Sequence, residues 1–254
     1  MKVVLIGTGN VANVLGRKIR AAGNEILEVI GRNHESTTKL AALLGASPVS
    51  SVNGISSIAD IYIIAVSDHA IQQITDELRL HDKIVVHTAA AQPKNILKQC
   101  SSHYGVIYPL QTLKKETGAD ANIPILITAN NEDTRKKLYS FCNQWSNQVL
   151  FVSDEERLKL HLAAVFVNNF TNHLLAIAQK YCGDNQLDFN YLLPLIEQTF
   201  TQIRDGDAVS LQTGPARRND VGTIQKHRQL LANDSKKLHL YNALTESIRD
   251  FYKA

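Results

Sequence analysis

Up to about residue 152, short apolar runs alternate with amphipathic stretches. The runs read KVVLIG, EILEVIG, DIYIIAVS, KIVVHTA, YGVIYPL, PILITAN and VLFVS. Several are apolar at successive positions, the pattern of strands buried on both faces of a parallel sheet. Between them lie helical segments such as NVANVLGRKIRAAG, which Gly23 closes at its C-terminus. This alternation predicts an α/β domain built on a doubly wound, mostly parallel sheet. After VSDEE no strand pattern follows, and helices are expected at about 155–182, 189–204, 221–232 and 234–252. The expected organisation is therefore an α/β domain over 1–152 and an all-helical C-terminal domain over 153–254.

Composition narrows the class of ligand. A chain of 254 residues, 44% hydrophobic and 20% charged, can bury a core in each domain. The net charge of +3, without a Lys/Arg run interleaved with aromatics, argues against nucleic acid and suits a small anionic substrate. The apolar run in MKVVLIGTGN is too short for a signal peptide, and no segment is long enough to span a membrane. Cys100, Cys142 and Cys182 are unpatterned, as in a reducing cytoplasm. Cys100 and His103 in CSSH are the only ligand-like spacing, and two ligands do not make a zinc site; no metal is expected.

The first strand carries the clearest chemistry. In VVLIGTGNVANVLG, Gly7, Gly9 and Ala12 form G-x-G-x-x-A between a strand and a helix. The first glycine permits a tight turn, the second lets backbone approach a pyrophosphate, and the small third residue lets helix and strand pack closely. The helix start at Thr8, Asn10 and Val11 then offers N–H groups and a positive dipole end to phosphates. This is the Rossmann turn. The second strand ends in Gly31, Arg32 and Asn33, without the carboxylate that usually binds the ribose 2′-hydroxyl of NAD. Arg32 can instead pair with a 2′-phosphate, which favours NADP. Glu28 lies too early in the strand for this role.

Ligands of such sheets lie beyond the carboxyl ends of the strands. That rule gathers Val66, Ser67 and Asp68, then His87, Thr88, Ala89 and Ala90, then Tyr108, Pro109, Gln111 and Thr112. Val66, Ser67 and Thr88 are assigned to the cofactor and Gln111 to the substrate. Asp68 is expected to cap the next helix. His87 is either a site residue or a satisfied core histidine.

In KLHLAAVFVNNFTNHLLAIAQK, helical spacing aligns His161, Val165, Asn168, Asn172 and Gln179 in one stripe, with apolar residues over most of the remaining surface. Such a helix is expected to be buried. Its polar seam then needs partners, either other helices or a substrate. His161, Asn168 and Asn172 are the catalytic candidates, able to orient a carbonyl or imine and deliver a proton.

The motifs GTGNVA, HTAAA, YPLQT, HLAAVFVNNFTNHLLAIA, LLPLIEQT and TGPARRND…TIQKH run through almost the whole chain. Together they resemble the NADP oxidoreductases that join a Rossmann-like domain to an uncharacterised helical C-terminal domain. More distantly, the sequence is similar to pyrroline-5-carboxylate reductase, ketopantoate reductase and the deazaflavin-dependent NADP reductases, which share the two-domain plan. The resemblance implies hydride transfer with NADP and a homodimer formed through the helical domain. Helices as apolar as 158–178 point to the same assembly. Within it, NNFTNHLLAI resembles the Asn-x-x-x-Asn helix of ketopantoate reductase, matching Asn168 and Asn172. That family's proton-donating lysine falls at Ala164, so an acid must come from elsewhere, with His161 and His227 nearest by spacing. Tyr108 stands where the family often has His, and Ala90 where it often has Gly. The first departure argues against an acid role for the YPLQT loop.

The stretch TGPARRND, residues 213–220, reads in two ways. Gly214 and Pro215 end one segment, and Asp220 or Thr223 can cap the next helix, leaving solvated arginines. Alternatively Arg217 and Arg218, fixed by Asn219 and Asp220, hold a carboxylate or phosphate of the substrate. Function likewise has two readings: reduction of a small anionic carbonyl or imine, or NADP binding by a non-catalytic regulator or partner protein.

Overall fold

The computed structural model describes residues 1–253, the side chain of Asp205 excepted. The chain divides into two compact units, Met1–Leu174 and Leu175–Ala254. The last strand ends at Phe151, so the first unit also takes in the start of the helical region.

The first unit is an eight-stranded sheet with helices on both faces. In chain order its elements are β1 (Lys2–Ile6), α1 (Asn10–Ala21), β2 (Glu25–Ile30), α2 (His34–Leu44), β3 (Ser47–Val49), β4 (Ile61–Ile64), α3 (Asp68–Glu77), β5 (His81–His87), β6 (Ser101–Pro109), β7 (Ile125–Ala129), α4 (Glu132–Cys142) and β8 (Val149–Phe151). The spatial order is β3-β2-β1-β4-β5-β6-β7-β8. All pairings are parallel except β6 with β7. The chain thus moves outward to β3, then crosses back past β1 to β4. That reversal is the switch point at which open α/β sheets bind ligands. The sequence runs locate seven of the strands. The eighth, β3, is three residues of Ser-Pro-Val, too short for a pattern, and its proline is tolerated because β3 is a sheet edge.

Both faces of the sheet are dry. Val3, Leu5, Ile61, Ile63 and Val86 point into one core layer with Val14, Leu15 and Ile19 of α1. Val4, Ile6, Tyr62, Ile64 and Val85 point into the other with Ile71 of α3. The connection between the antiparallel strands β6 and β7 is long, running from Pro109 to Ile125, and α1 holds it. Lys18 Nζ donates to the carbonyls of Ala119 (2.8 Å) and Ala121 (2.6 Å), while Arg17 donates to those of Lys115 and Thr117. Burial pushes the Lys18 ammonium below its usual range.

Beyond β8 come α5 (Asp154–Ala164), a single wide π turn (Val165–Phe170) and α6 (Thr171–Asp184), which contains the unit boundary. Ser153 and Glu156 form a reciprocal capping box at the start of α5. The second unit continues with α7 (Leu193–Asp205), α8 (Val221–Leu230) and α9 (Ser235–Phe251). His227 pairs with Tyr241 (2.9 Å) and Arg228 with Asn242 (2.8 Å), tying α8 to α9.

One expectation fails here. The apolar helical region is not buried in the single chain: Leu162, Phe166 and Val167 are 58%, 59% and 70% exposed, and Phe170 and Leu174 are exposed as well. Its polar seam also breaks, because the π turn interrupts the regular helical spacing between His161 and Asn172. Among the described residues, no helix is long and apolar enough to cross a membrane.

Candidate active site

The turn after β1 is shaped by its neighbours. Gly7 has φ 129°, a left-handed backbone, and a Cβ there would stand 2.1 Å from the Ala65 carbonyl oxygen at the end of β4. Any side chain would push β1 and β4 apart. A Cβ on Gly9 would meet nothing within 4 Å, so that side of the turn is open for a ligand. Gly9 is also the N-cap of α1 and has no side chain to satisfy its first N–H groups. Ala12, the third small position, is fully buried. A helix start with free donors, facing open space, fits the pyrophosphate of a dinucleotide.

A cavity of about 710 Å³ opens there, the size of a cofactor site. Gly7, Thr8, Gly9, Asn10, Val11, Arg32, Asn33, Val66 and Ser67 all line it; Thr88 does not. Ser50, Ser51, Val52, Ala70, Gln73, Ile74 and Glu77 also line it and were missed from sequence. Ser50 and Ser51 follow β3, the strand that the sequence pattern did not reveal. Arg32 is exposed at this cavity and has no ion-pair partner among the described residues. Asn33 also accepts from the Ser36 N–H (2.8 Å) as N-cap of α2. Glu28 points elsewhere, to the Ser56 N–H (3.0 Å). Ser67, not Asp68, is the N-cap of α3; Asp68 is the first helical residue and acts through the helix dipole.

His87 is a core residue. It is fully buried, its Nδ1 accepts from the Ala89 N–H (3.1 Å), and its Nε2 lies 3.4 Å from the Pro93 carbonyl. Burial, reinforced by the Arg157 charge, lowers its pKa to about 4, so it is neutral at physiological pH. Arg157 on α5 is 1% exposed. It donates to the carbonyls of Ala90 (3.0 Å) and Gln92 (2.5 Å) and to Thr128 Oγ1 (2.8 Å), and pairs with Asp154 (2.8 Å). Lys94 also reaches Asp154 (3.3 Å). The loop leaving β5 is thereby fixed to α5. Nothing in the spacing of Arg157 marks it as buried.

That fixation brings α5 to the end of β6. His161, one turn after Arg157, has its Nδ1 2.9 Å from the Tyr108 hydroxyl, ring edge to ring face. Asn168, in the π turn, donates to Thr112 Oγ1. Asn172 is exposed and has no hydrogen-bond partner among the described residues. Gln111 is exposed, its Oε1 accepting from the Thr112 N–H (3.0 Å). In the second unit, Asp220 caps α8 by accepting from the Thr223 N–H and hydroxyl, and these bonds lower its pKa. Arg217 and Arg218 are exposed, with the Arg217 guanidinium 5.0 Å over the Tyr252 ring. Asn219 holds a left-handed backbone, φ 54°.

A family model described as NADP oxidoreductase, coenzyme F420-dependent, matches residues 2–91. One described as a domain of unknown function (DUF2520) matches residues 123–248. A Bacteroides fragilis protein described as an NADP oxidoreductase is 34% identical over 98% of each chain, with a TM-score of 0.88. The 1-pyrroline-5-carboxylate reductase of Streptococcus pyogenes is 14% identical over 98% of each chain (TM-score 0.66). An imine reductase from Myxococcus stipitatus, in complex with NADP+, is 17% identical over 98% of this chain and 93% of its own (TM-score 0.68). These last two share the fold. No curated protein matches the sequence. The site and fold define a Rossmann-type oxidoreductase, and the chain belongs to the NADP oxidoreductase family of the Bacteroides fragilis protein.

Proposed function

We propose that the protein transfers a hydride between NADP and the carbon of a C=O or C=N bond in a small anionic compound, working as a cytoplasmic homodimer. NADPH when bound supplies the hydride; the chain supplies position, polarity and a proton. Gly7, Thr8, Gly9, Asn10 and Val11 hold the pyrophosphate. Arg32 takes the 2′-phosphate, with Asn33 beside it, and Val66, Ser67 and Thr88 border the nicotinamide end. The observation that carries the reading is two polar pairs at the carboxyl end of β6, His161–Tyr108 in the last residues of the strand and Asn168–Thr112 just beyond, in the sheet whose first turn forms the dinucleotide cavity. His161, Asn168 and Asn172 serve the reacting centre. Gln111, Arg217, Arg218, Asn219 and Asp220 serve the anionic substrate. The imine and pyrroline carboxylate reductases that share the fold suggest which acceptors to try first.

The reading is tested by following NADPH consumption with a panel of 2-oxo acids and cyclic imines, including carboxylated ones. Turnover of at least one anionic member, faster than its uncharged analogue, is expected. NADPH binding without turnover of any member would instead favour a non-catalytic NADP-binding protein.

A further inference from the structure

Tyr108 is the penultimate residue of β6, and the β5–β6 register sets His87 opposite Val106. Its ring therefore stands two residues beyond the end of β5, on the edge where ligands of this sheet bind. The hydroxyl bonds to His161 Nδ1. A phenol can both donate and accept, so this bond leaves it capacity for another partner. Burial holds the Tyr108 hydroxyl above its usual pKa, with the Asp68 carboxylate adding to the shift and Arg157 opposing it. It is protonated at neutral pH. Asp68 begins α3 directly after Ser67, which lines the dinucleotide cavity. His161 is only half-buried, so water can reach its ring.

We propose that the Tyr108 hydroxyl is the group that protonates the substrate nitrogen or oxygen, and that His161 positions it and resupplies the proton. This rests on the reductase reading above. As hydride reaches the carbon, the π pair of the C=N or C=O bond moves to the heteroatom. The heteroatom takes the phenol proton, giving an amine or alcohol. The phenolate regains a proton from His161 Nδ1, and the imidazole takes one from water at Nε2. NADPH is oxidised, the substrate is reduced, and the net proton comes from solvent. The lysine that a ketopantoate reductase would place at Ala164 is not required, because the donor comes from the sheet. The bond to His161 reverses the expectation that Tyr108 in place of His argues against an acid role for the YPLQT loop.

The test compares wild type, Tyr108→Phe and His161→Ala. Tyr108→Phe should bind NADPH as wild type does but lose roughly 10²–10⁴-fold in kcat, the range of a general acid. His161→Ala should lose less, and added imidazole should restore its rate while leaving Tyr108→Phe unchanged. A readout without turnover is the ultraviolet titration of tyrosines. The wild type minus Tyr108→Phe difference should show one phenol ionising above the ordinary range, and His161→Ala should shift it. Wild-type turnover with unimpaired Tyr108→Phe, or a titration insensitive to His161, overturns the proton couple and leaves the reductase reading standing. A wild type that reduces no member of the panel overturns both.

Discussion

Two residues show how much a single side chain can decide. Arg32 ends the second strand's loop where many NAD enzymes carry a carboxylate, and here no acid pairs with it among the described residues. Arg32→Ala should weaken NADPH binding by roughly 1.5–3 kcal/mol, the worth of a hydrogen bond to a charged group. NADH binding should hardly change. Calorimetric titration of both cofactors against both proteins checks this, and equal wild-type affinities would contradict it. His87 acts on stability. The unfolded chain protonates it near 6.5 and the folded chain only near 4, so unfolding takes up a proton throughout that window. Its contribution is therefore complete above about pH 6.5 and is lost as pH falls toward 4, by roughly 3 kcal/mol in all. Urea unfolding at pH 7.5 and 4.5 should show that loss in wild type and a smaller one in His87→Gln. His87 was ambiguous in sequence because nothing local reports that Ala89 and Pro93 satisfy both ring nitrogens.

At the scale of elements, legibility followed period and turn chemistry. The Gly7–Ala12 turn was readable because strand, glycines and helix are adjacent in sequence. Nine of the ten residues assigned to the cofactor, five of them in this turn, line one cavity, and Ser50 and Ser51 were missed with the unpatterned edge strand β3. The α5–α6 region was read as one continuous helix. Its π turn leaves no trace in hydrophobic period, and it separates His161 from Asn172. The His161–Tyr108 and Asn168–Thr112 pairs were hidden for another reason: they join residues 53 and 56 positions apart. The loop 213–220 sits between α7 and α8. Arg217 stacks on Tyr252 at an exposed site, an interaction worth about 0.5–1 kcal/mol. If the loop also holds the substrate's anionic group, Arg217→Ala should change stability by no more than that and leave NADPH affinity intact. Substrate binding should weaken by roughly 2–5 kcal/mol. Chemical unfolding and substrate titration on the same variant separate these effects, and an unchanged substrate affinity would return the loop to a capping role.

For the whole molecule, the outstanding feature of the helical region is what it leaves uncovered. Leu162, Phe166, Val167, Phe170, Leu195, Phe200 and Leu230 are all exposed in the single chain. Within each unit, apolar exposure on this scale is what association with another chain would cover. It turns the failed expectation of a buried helix into an argument for the homodimer. Sedimentation at micromolar concentration should give a dimer, and Val167→Asp should shift it toward monomer; a wild-type monomer would contradict this part of the account.

The claim on which the rest depends is hydride transfer itself. The protein should be incubated with NADPH deuterated at the transferring C4 position and the panel of carboxylated carbonyls and cyclic imines, and the products examined by mass spectrometry. A reduced product carrying deuterium on the former C=O or C=N carbon is expected. Deuterium retained wholly on the nicotinamide, with every panel member recovered unreduced, would contradict hydride transfer.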